Sequence, residues 1–133
     1  MYDIGKYFVN ERLGKDLEIL LLTSIGGVLP LCDNMLVCGG DAAAIMFTQV
    51  LAEELSDSQV IVNCIAVGYN DGKVGINTKN EEELLLHIPT HEALCCEKLG
   101  EQIANIALTS KYGQTGNVIK LDDAFSVSYM REY

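Results

Sequence analysis

Basic side chains are scarce in this sequence. Only 9 Lys and Arg residues stand against 19 Asp and Glu residues, which gives a formal net charge of −10. The basic residues are spread from Lys6 to Arg131 without a cluster, and so acidic a chain repels phosphate backbones. Nucleic acid is therefore not an expected partner.

The sequence also lacks the cysteine spacings of disulfide frameworks and zinc sites. Its five Cys residues are an odd number, and no two of them have the C-x-x-C spacing. Residues 1–4 do not begin a signal peptide. We therefore expect a cytoplasmic protein whose thiols are reduced.

Long hydrophobic runs are missing as well. The longest apolar stretches, residues 17–22 and 42–47, are far shorter than the roughly 20 residues that cross a bilayer. Hydrophobic residues nevertheless make up 49% of the chain and charged residues 21%, which is enough for one globular domain with a core. The low charged fraction predicts that some apolar surface is buried between chains, and no membrane contact is expected.

Three apolar runs predict buried strands, and the segments between them predict helices. The strands are expected at residues 17–23, 59–66 and 117–121. Helices are expected at residues 41–56, 80–87 and 97–109, with a weaker pattern at 2–13. This alternation predicts an α/β fold on a mostly parallel three-stranded sheet. Helix 41–56 is apolar all round in its first half, which predicts that this half is completely buried.

Five blocks of the sequence resemble, in order and in spacing, the C-terminal half of the short-chain dehydrogenase/reductases. They are residues 23–27, 41–55, 60–68, 88–89 and 113–122. The most specific block is the alanine-rich helix that is followed by Val-Asn-Cys-Ile-Ala. The resemblance covers residues 15–127 and implies a partial Rossmann-like fold in one truncated domain, 1–133. It further implies that the N-terminal dinucleotide-binding half is missing and that oligomerisation completes the sheet.

The resemblance places the family's catalytic Ser, Tyr and Lys at three positions of this chain. Ser24 stands at the Ser position, Val37 at the Tyr position and Asp41 at the Lys position. The isopropyl group of Val37 has no transferable proton, and a carboxylate raises the pKa of a neighbouring phenol. We therefore expect no intact catalytic residue. Ser24 is a vestige whose simpler role is to cap the end of the strand.

Cys38 is the nearest residue that could replace the missing acid. It lies one residue beyond Val37, and one helical step turns a side chain by about 100°, so we expect the thiol to point away from Ser24. Gly39 and Gly40 are poor helix formers, which predicts that the helix begins near Asp41.

The resemblance also implies that the cofactor contacts are lost. The family's Gly-rich phosphate loop would lie upstream of Met1, and none of the twelve glycines forms a G-x-G. Val67, Gly68 and Gly72 are vestiges of the segment that contacts the nicotinamide in the family. We therefore expect no NAD(P) unless a partner chain supplies the binding half.

Three other patterns have structural interpretations. His87, His91 and Cys95 recur every four residues and could hold a metal ion on one helical face, but Pro89 breaks such a helix, so no metal is expected. Residues 68–73 resemble a phosphate loop with a spacing that is one residue short, and are interpreted as a turn. Cys95 and Cys96 are interpreted as a reduced structural pair.

Three functions remain open at this point. The first is a catalytically incompetent dehydrogenase-like subunit that stabilises or regulates a homo-oligomer or a hetero-oligomer with a full-length family member. The second is an oxidoreductase whose nucleotide-binding half comes from another chain, with Ser24 and a lid at residues 69–92 supplied here. The third is a small-molecule binding module at Ser24, Val37 and Gly68. For the first, the predicted interface residues are Ile19, Leu21, Ile45, Phe47, Leu51 and Val118.

Overall fold

A computed structural model of the chain describes residues 17–58, 60–72, 81–86, 88, 91–109 and 114–123. Its strands are β1 (Glu18–Ser24), β2 (Ile61–Val67) and β3 (Val118–Leu121). Its α-helices are α1 (Met35–Glu54), α2 (Glu81–Leu86) and α3 (Cys96–Thr109). A 3-10 turn, Ile25–Gly27, follows β1. The predicted helix at 2–13 lies outside the described residues.

The three strands form one parallel sheet in the order β1-β2-β3. The register pairs Ser24 with Val67 and Val67 with Leu121, so the carboxyl ends of all three strands meet at one edge. The predicted α/β class and the parallel three-stranded sheet are therefore confirmed. Because β1 is an outer strand of the described sheet, its apolar sequence lies next to an edge that these residues leave unpaired.

Two apolar clusters hold the helices and loops against the sheet. One is centred on Leu51, Ala52 and Val62, where the second half of α1 packs on β1 and β2. The other surrounds Ile25, Ala66 and Ile88 near the carboxyl ends of the strands. These clusters fix where α1 crosses the end of β1.

The start of α1 differs from the sequence prediction. The helix begins at Met35, six residues before Asp41, and it runs through Gly39 and Gly40. Cys38 N donates to Asn34 O (2.8 Å), and the Cys38 side chain packs against the apolar cluster around Ile25. Tertiary packing of the first turn therefore outweighs the low helix propensity of the two glycines, which costs about 1 kcal/mol each.

The burial of α1 also differs from the prediction. Its buried residues, Thr48, Leu51 and Ala52, are all in the second half. In residues 41–47, the first half of the helix as predicted, Ala42 and Ala43 are exposed and Met46 is 58% exposed. The prediction of a fully buried first half is wrong, because the described part of the chain covers only one side of the helix.

Candidate functional site

The candidate site lies at the carboxyl end of β1, where Ser24 begins the 3-10 turn. Ser24 is the N-cap of this turn, and its Oγ accepts a hydrogen bond from Gly26 N (2.9 Å). This is the capping role that the simpler interpretation of Ser24 predicted. The contact helps to fix the local backbone at the end of β1.

Asp41 joins α1 to the same end of β1. Thr23 Oγ1 donates a hydrogen bond to Asp41 Oδ1 (2.8 Å). The other carboxylate oxygen, Oδ2, is buried and has no hydrogen-bond partner in the described part of the chain. Where the family resemblance places a lysine, this chain thus has a carboxylate that is held by a threonine.

Cys38 is part of this cluster, and the prediction that its side chain points away from Ser24 is wrong. Ser24 Oγ, Cys38 Sγ and Asp41 Oδ2 all lie within 3.4 Å of the position that a Cβ on Gly26 would occupy. Because α1 begins at Met35, Cys38 and Asp41 are one helical turn apart on the face toward β1. The thiol donates weak hydrogen bonds to Leu29 O (3.8 Å) and Leu31 O (3.9 Å).

Val37 precedes Cys38 on α1 and has no polar side-chain group to contribute. Its side chain is apolar and 40% exposed. The groups from α1 that reach the end of β1 are therefore one thiol and one carboxylate. The carboxylate accepts a hydrogen bond, and the thiol donates to backbone carbonyls.

The ends of β2 and β3 meet at Gly68, next to the Ser24 position in the sheet. Gly68 N donates to Leu121 O (2.8 Å), and a Cβ at Gly68 would lie 2.7 Å from Asp122 Cα. Only a glycine permits this close approach without a backbone shift. Val67 and Gly68, both named as cofactor vestiges, are thus tightly packed by β3.

The loop after β2 is tied to the N-terminus of α3. Leu94 N donates to Tyr69 O, and Asp71 N donates to Leu94 O, both at 3.0 Å. Cys96 N donates to Asp71 Oδ1 (2.9 Å), and a Cβ at Gly72 would lie 2.6 Å from Cys96 Sγ. Residues 69–72 of this loop are the first part of the predicted lid at 69–92, whose other described residues are 81–86, 88, 91 and 92.

Cys96 and Asp71 shift each other's titration. The side-chain hydrogen bond to Asp71 is the main cause that raises the pKa of the Cys96 thiol. The same bond is the main cause that lowers the pKa of the Asp71 carboxyl. The thiol is therefore held in its protonated, weakly nucleophilic form.

The histidine and cysteine pattern does not form a helical metal site. The α2 helix ends at Leu86, and His91 has a positive φ of 55° with its Nδ1 atom 3.2 Å from Leu85 O. His87 lies outside the described residues. Among the residues that the structure describes, no group of three or more His, Cys, Asp or Glu side chains could hold a metal ion.

The predicted interface residues mostly pack inside the chain. Leu51 is only 3% exposed, so its prediction as an interface residue is wrong: it belongs to the core on β1 and β2. Ile19 and Phe47 pack against the same core, and Val118 packs against the cluster around Ile25. Leu21 and Ile45 are half-buried.

Most of the exposed apolar residues of α1 lie on the side of the helix opposite to its buried residues Leu51 and Ala52. They form what we call the α1 face: Met35, Leu36, Gly39, Ala43, Met46 and Val50. Sequence reasoning missed this face because a helix that is apolar all round is normally buried. It also missed Thr23, whose partner lies 18 residues away.

The helix α1 is long enough and apolar enough to cross a membrane, by length and composition only. Of its most apolar stretch, 17% is buried in the chain. The expectation that every apolar segment is far too short is thus wrong for α1, because the helix begins at Met35. A helix in the core of a soluble protein can have the same length and apolar composition. The α1 helix packs on β1 and β2 through Leu51 and Ala52.

Solved structures identify the fold. The chain superimposes on a short-chain dehydrogenase from Bacillus anthracis with a TM-score of 0.79 and 17% identity, covering 94% of this chain and 50% of that one. The fold is that of part of a short-chain dehydrogenase/reductase. A mutant Serratia marcescens short-chain dehydrogenase/reductase gives a TM-score of 0.70 at 18% identity, covering 82% of this chain and 45% of that one. A variant actinorhodin polyketide ketoreductase, solved with NADPH, gives a TM-score of 0.67 at 14% identity, covering 81% of this chain and 46% of that one.

Curated proteins give a consistent result at low identity. Nodulation protein G of Rhizobium meliloti (strain 1021) is 24% identical over 127 residues, which is 94% of this chain and 51% of that protein. Nodulation protein G of Rhizobium sp. (strain N33) is 25% identical over 112 residues, which is 83% of this chain and 46% of that protein. The chain spans about half the length of these relatives. No protein-family model matches it.

Proposed function

We propose that this chain is a non-catalytic short-chain dehydrogenase/reductase-like subunit, which acts as a structural or regulatory partner in an oligomer. The observation that carries this proposal is the bond between Thr23 and Asp41. A carboxylate occupies the position at which the resemblance places the lysine, and it is already engaged by a hydroxyl group. The cation and the phenol of the family's reaction are therefore replaced at their positions, by Asp41 and Val37.

The available groups do not replace that acid and base. The Cys38 thiol donates to two backbone carbonyls, and the Ser24 hydroxyl group accepts from Gly26 N. A general acid must reach the reacting atom with a proton to give, and Val37 has none. Any phenol introduced beside Asp41 would have a raised pKa, which opposes its use as a base near neutral pH.

The residues present do not fit a nicotinamide cofactor. In the family, the lysine holds the nicotinamide ribose, whereas Asp41 presents a carboxylate that repels the anionic cofactor. Gly68 is packed directly against Asp122, and the loop after it is closed onto Cys96. We propose that this chain by itself binds no NAD(P).

The apolar surface supports a role in assembly. The α1 face exposes several large apolar side chains in one row, and such patches on soluble proteins mark interaction sites. Self-association and pairing with a full-length dehydrogenase are both compatible with this surface. A split oxidoreductase is less well supported, because such an enzyme would need the tyrosine and lysine that Val37 and Asp41 replace.

Co-purification from the native source tests the proposal. We expect this chain to travel with a family member that retains Tyr-x-x-x-Lys and G-x-x-x-G-x-G, and we expect the partner's stability or turnover to change when the chain is removed. A Met46→Glu variant should lose the partner, whereas Leu108→Glu, at a position on α3 that is also exposed, should keep it. Reductase turnover by this chain without a partner would contradict the proposal.

A further inference from the structure

The outer edge of β1 carries backbone groups without a partner in the part of the chain that the structure describes. Ile61 N donates to Leu17 O (2.9 Å), which sets the phase of the parallel ladder between β1 and β2. In this phase, the N–H and C=O groups of the odd-numbered residues of β1 point toward β2. The backbone groups of Leu20 and Leu22 therefore point the other way, to the edge of the sheet.

The side chains of the same two leucines lie on the face of the sheet that α1 does not cover. Ile19 packs in the core beneath α1, and Thr23 binds Asp41 on α1. Because side chains alternate between the two faces of a strand, Leu20 and Leu22 project from the opposite face. Leu22 is 57% exposed there. The edge thus combines unpaired backbone groups with apolar side chains.

The β1 strand has none of the features that usually keep a sheet edge from pairing. Natural edges are commonly protected by Lys, by Pro or by a bulge. Residues 19–24 contain no charged residue, Pro or Gly, and all seven residues of β1 follow one register with β2 without a bulge. The strand's one charged residue, Glu18, stands at its start. The edge is therefore suited to accept a further strand through main-chain hydrogen bonds.

A second copy of β1 complements this edge when the two strands run antiparallel about Leu21. Leu20 of one copy then lies opposite Leu22 of the other, and each such pair exchanges two backbone hydrogen bonds. The two leucine side chains of a pair are also neighbours on the open face. Glu18 lies opposite Ser24, so the Glu18 carboxylates of the two copies stand at opposite ends of the contact. A parallel arrangement would bring these carboxylates side by side, which is destabilising.

We propose that the outer edge of β1 pairs with the same edge of a second copy of this chain, antiparallel and centred on Leu21. The contact joins two three-stranded sheets into one continuous sheet with two-fold symmetry. This inference rests on the proposed function as a subunit and names one partner and the strand that binds it. Each copy carries a formal net charge of −10, so the dimer should tighten as added salt screens the repulsion.

Sedimentation velocity and amide hydrogen exchange of the whole chain test the pairing. At micromolar concentration we expect a dimer in which the amides of Leu20 and Leu22 exchange slowly. Leu22→Lys puts a charge on the edge, so this variant should be monomeric, with the Leu20 amide exchanging at least about tenfold faster. The amide of Leu21, which points to β2, should stay protected and so report that the sheet is folded. Leu108→Lys, at an exposed position on α3, should leave the dimer and its exchange unchanged.

Engineered disulfides test the register. Leu21 faces its own copy as a non-hydrogen-bonded pair, whose Cα atoms lie about 4.5 Å apart, close enough for a disulfide. Leu21→Cys should therefore give a covalent dimer with oxidised glutathione, which is reduced as the two thiols join. The two copies of Ile19 lie about 14 Å apart in this register, so Ile19→Cys should give no covalent dimer. Both variants have the exposed Cys32 and Cys96 replaced by serine, and mass spectrometry identifies the linked peptides.

Each contrary result overturns the inference in a distinct way. A monomer with slow exchange at Leu20 and Leu22 would show that another part of the same chain covers the edge, and a monomer with fast exchange would show that the edge stays open. A dimer that survives Leu22→Lys and is lost with Met46→Glu would place the contact on the α1 face. A covalent dimer of Ile19→Cys would show that the strands pair in parallel. The co-purification tests the subunit function separately from all of these results.

Discussion

Thr23 Oγ1 and Asp41 Oδ1 lie 2.8 Å apart and join the end of β1 to the first half of α1. Asp41 Oδ2 is buried beside Gly26 with no hydrogen-bond partner in the described part of the chain. A carboxylate at this position therefore has a structural partner on one oxygen only. The contact adds a polar tie between α1 and β1 to the packing of the two apolar clusters.

Removal of this contact should destabilise the fold measurably. A hydrogen bond to a charged group contributes about 1.5–3 kcal/mol, so we expect Asp41→Ala to lower the free energy of unfolding within that range. A double-mutant cycle with Thr23→Val, measured by urea denaturation, should return most of this value as coupling. Glu53→Ala, an exposed change on the same helix, should stay within about 0.5 kcal/mol. Additive effects of Thr23→Val and Asp41→Ala would show that the bond contributes nothing.

Alanine substitutions at glycines on and near α1 should change the stability of the fold in opposite directions. Gly39 and Gly40 have open space where a Cβ would be, so each alanine should raise stability by about 0.5–1 kcal/mol. At Gly27 a Cβ would lie 2.7 Å from the Asp41 carbonyl carbon and 2.8 Å from Ile45 Cδ1, so Gly27→Ala should destabilise. Thermal unfolding of the three variants checks this. Loss of stability in Gly39→Ala would contradict the placement of the helix start at Met35.

The strands could be predicted from the sequence because each is a short, largely apolar run, but only β2 is buried along most of its length. All three observed strands begin within two residues of the predicted starts. The start of α1 could not be predicted in this way. Helix propensity at Gly39 and Gly40 argues for a later start, and only the packing of Cys38 against the residues around Ile25 reverses it.

The candidate site was predicted in part. The resemblance located Ser24, Val37 and Asp41, because they follow the family's spacing. It could not show that Thr23 binds Asp41, since that contact depends on how a helix crosses a strand. The exposure of Met35 and Met46 was equally out of reach, because periodicity does not reveal which side of an apolar helix its own chain covers.

Cys96 should react slowly with alkylating reagents although it is exposed. The hydrogen bond to Asp71 raises the thiol pKa, so Asp71→Asn should lower that pKa and speed alkylation at mildly alkaline pH. The alkylation rate is measured at a series of pH values by mass spectrometry of the labelled Cys96 peptide. It should begin to rise at a lower pH in the variant, because the thiolate forms at a lower pH. Glu92→Gln, an exposed change four residues before Cys96 in the sequence, serves as the control for the loss of one negative charge. Equal pH profiles for wild type and Asp71→Asn would contradict the contact.

The same pair sets a direction for stability against pH. The raised pKa of Cys96 means that its contribution is present below the ordinary thiol pKa and is lost as the pH rises through the folded-state value. The lowered pKa of Asp71 means that its contribution is present above the ordinary carboxyl pKa and is lost as the pH falls through the folded-state value. In Asp71→Asn, both dependences should be lost. The excess stability of the wild type over the variant should therefore be largest between the ordinary carboxyl and thiol pKa values, and should fall at lower and at higher pH.

Calorimetric titration of the purified chain with NADH and with NADPH tests most directly whether it has lost the family's chemistry. The engagement of Asp41 by Thr23 predicts no saturable binding at micromolar concentration for either cofactor, and no consumption of reduced cofactor with carbonyl substrates. The variant Val37→Tyr/Asp41→Lys, which restores the tyrosine and the lysine of the family, is titrated in the same way for comparison. Micromolar binding of NADH or NADPH by the wild-type chain alone would contradict the proposed non-catalytic role.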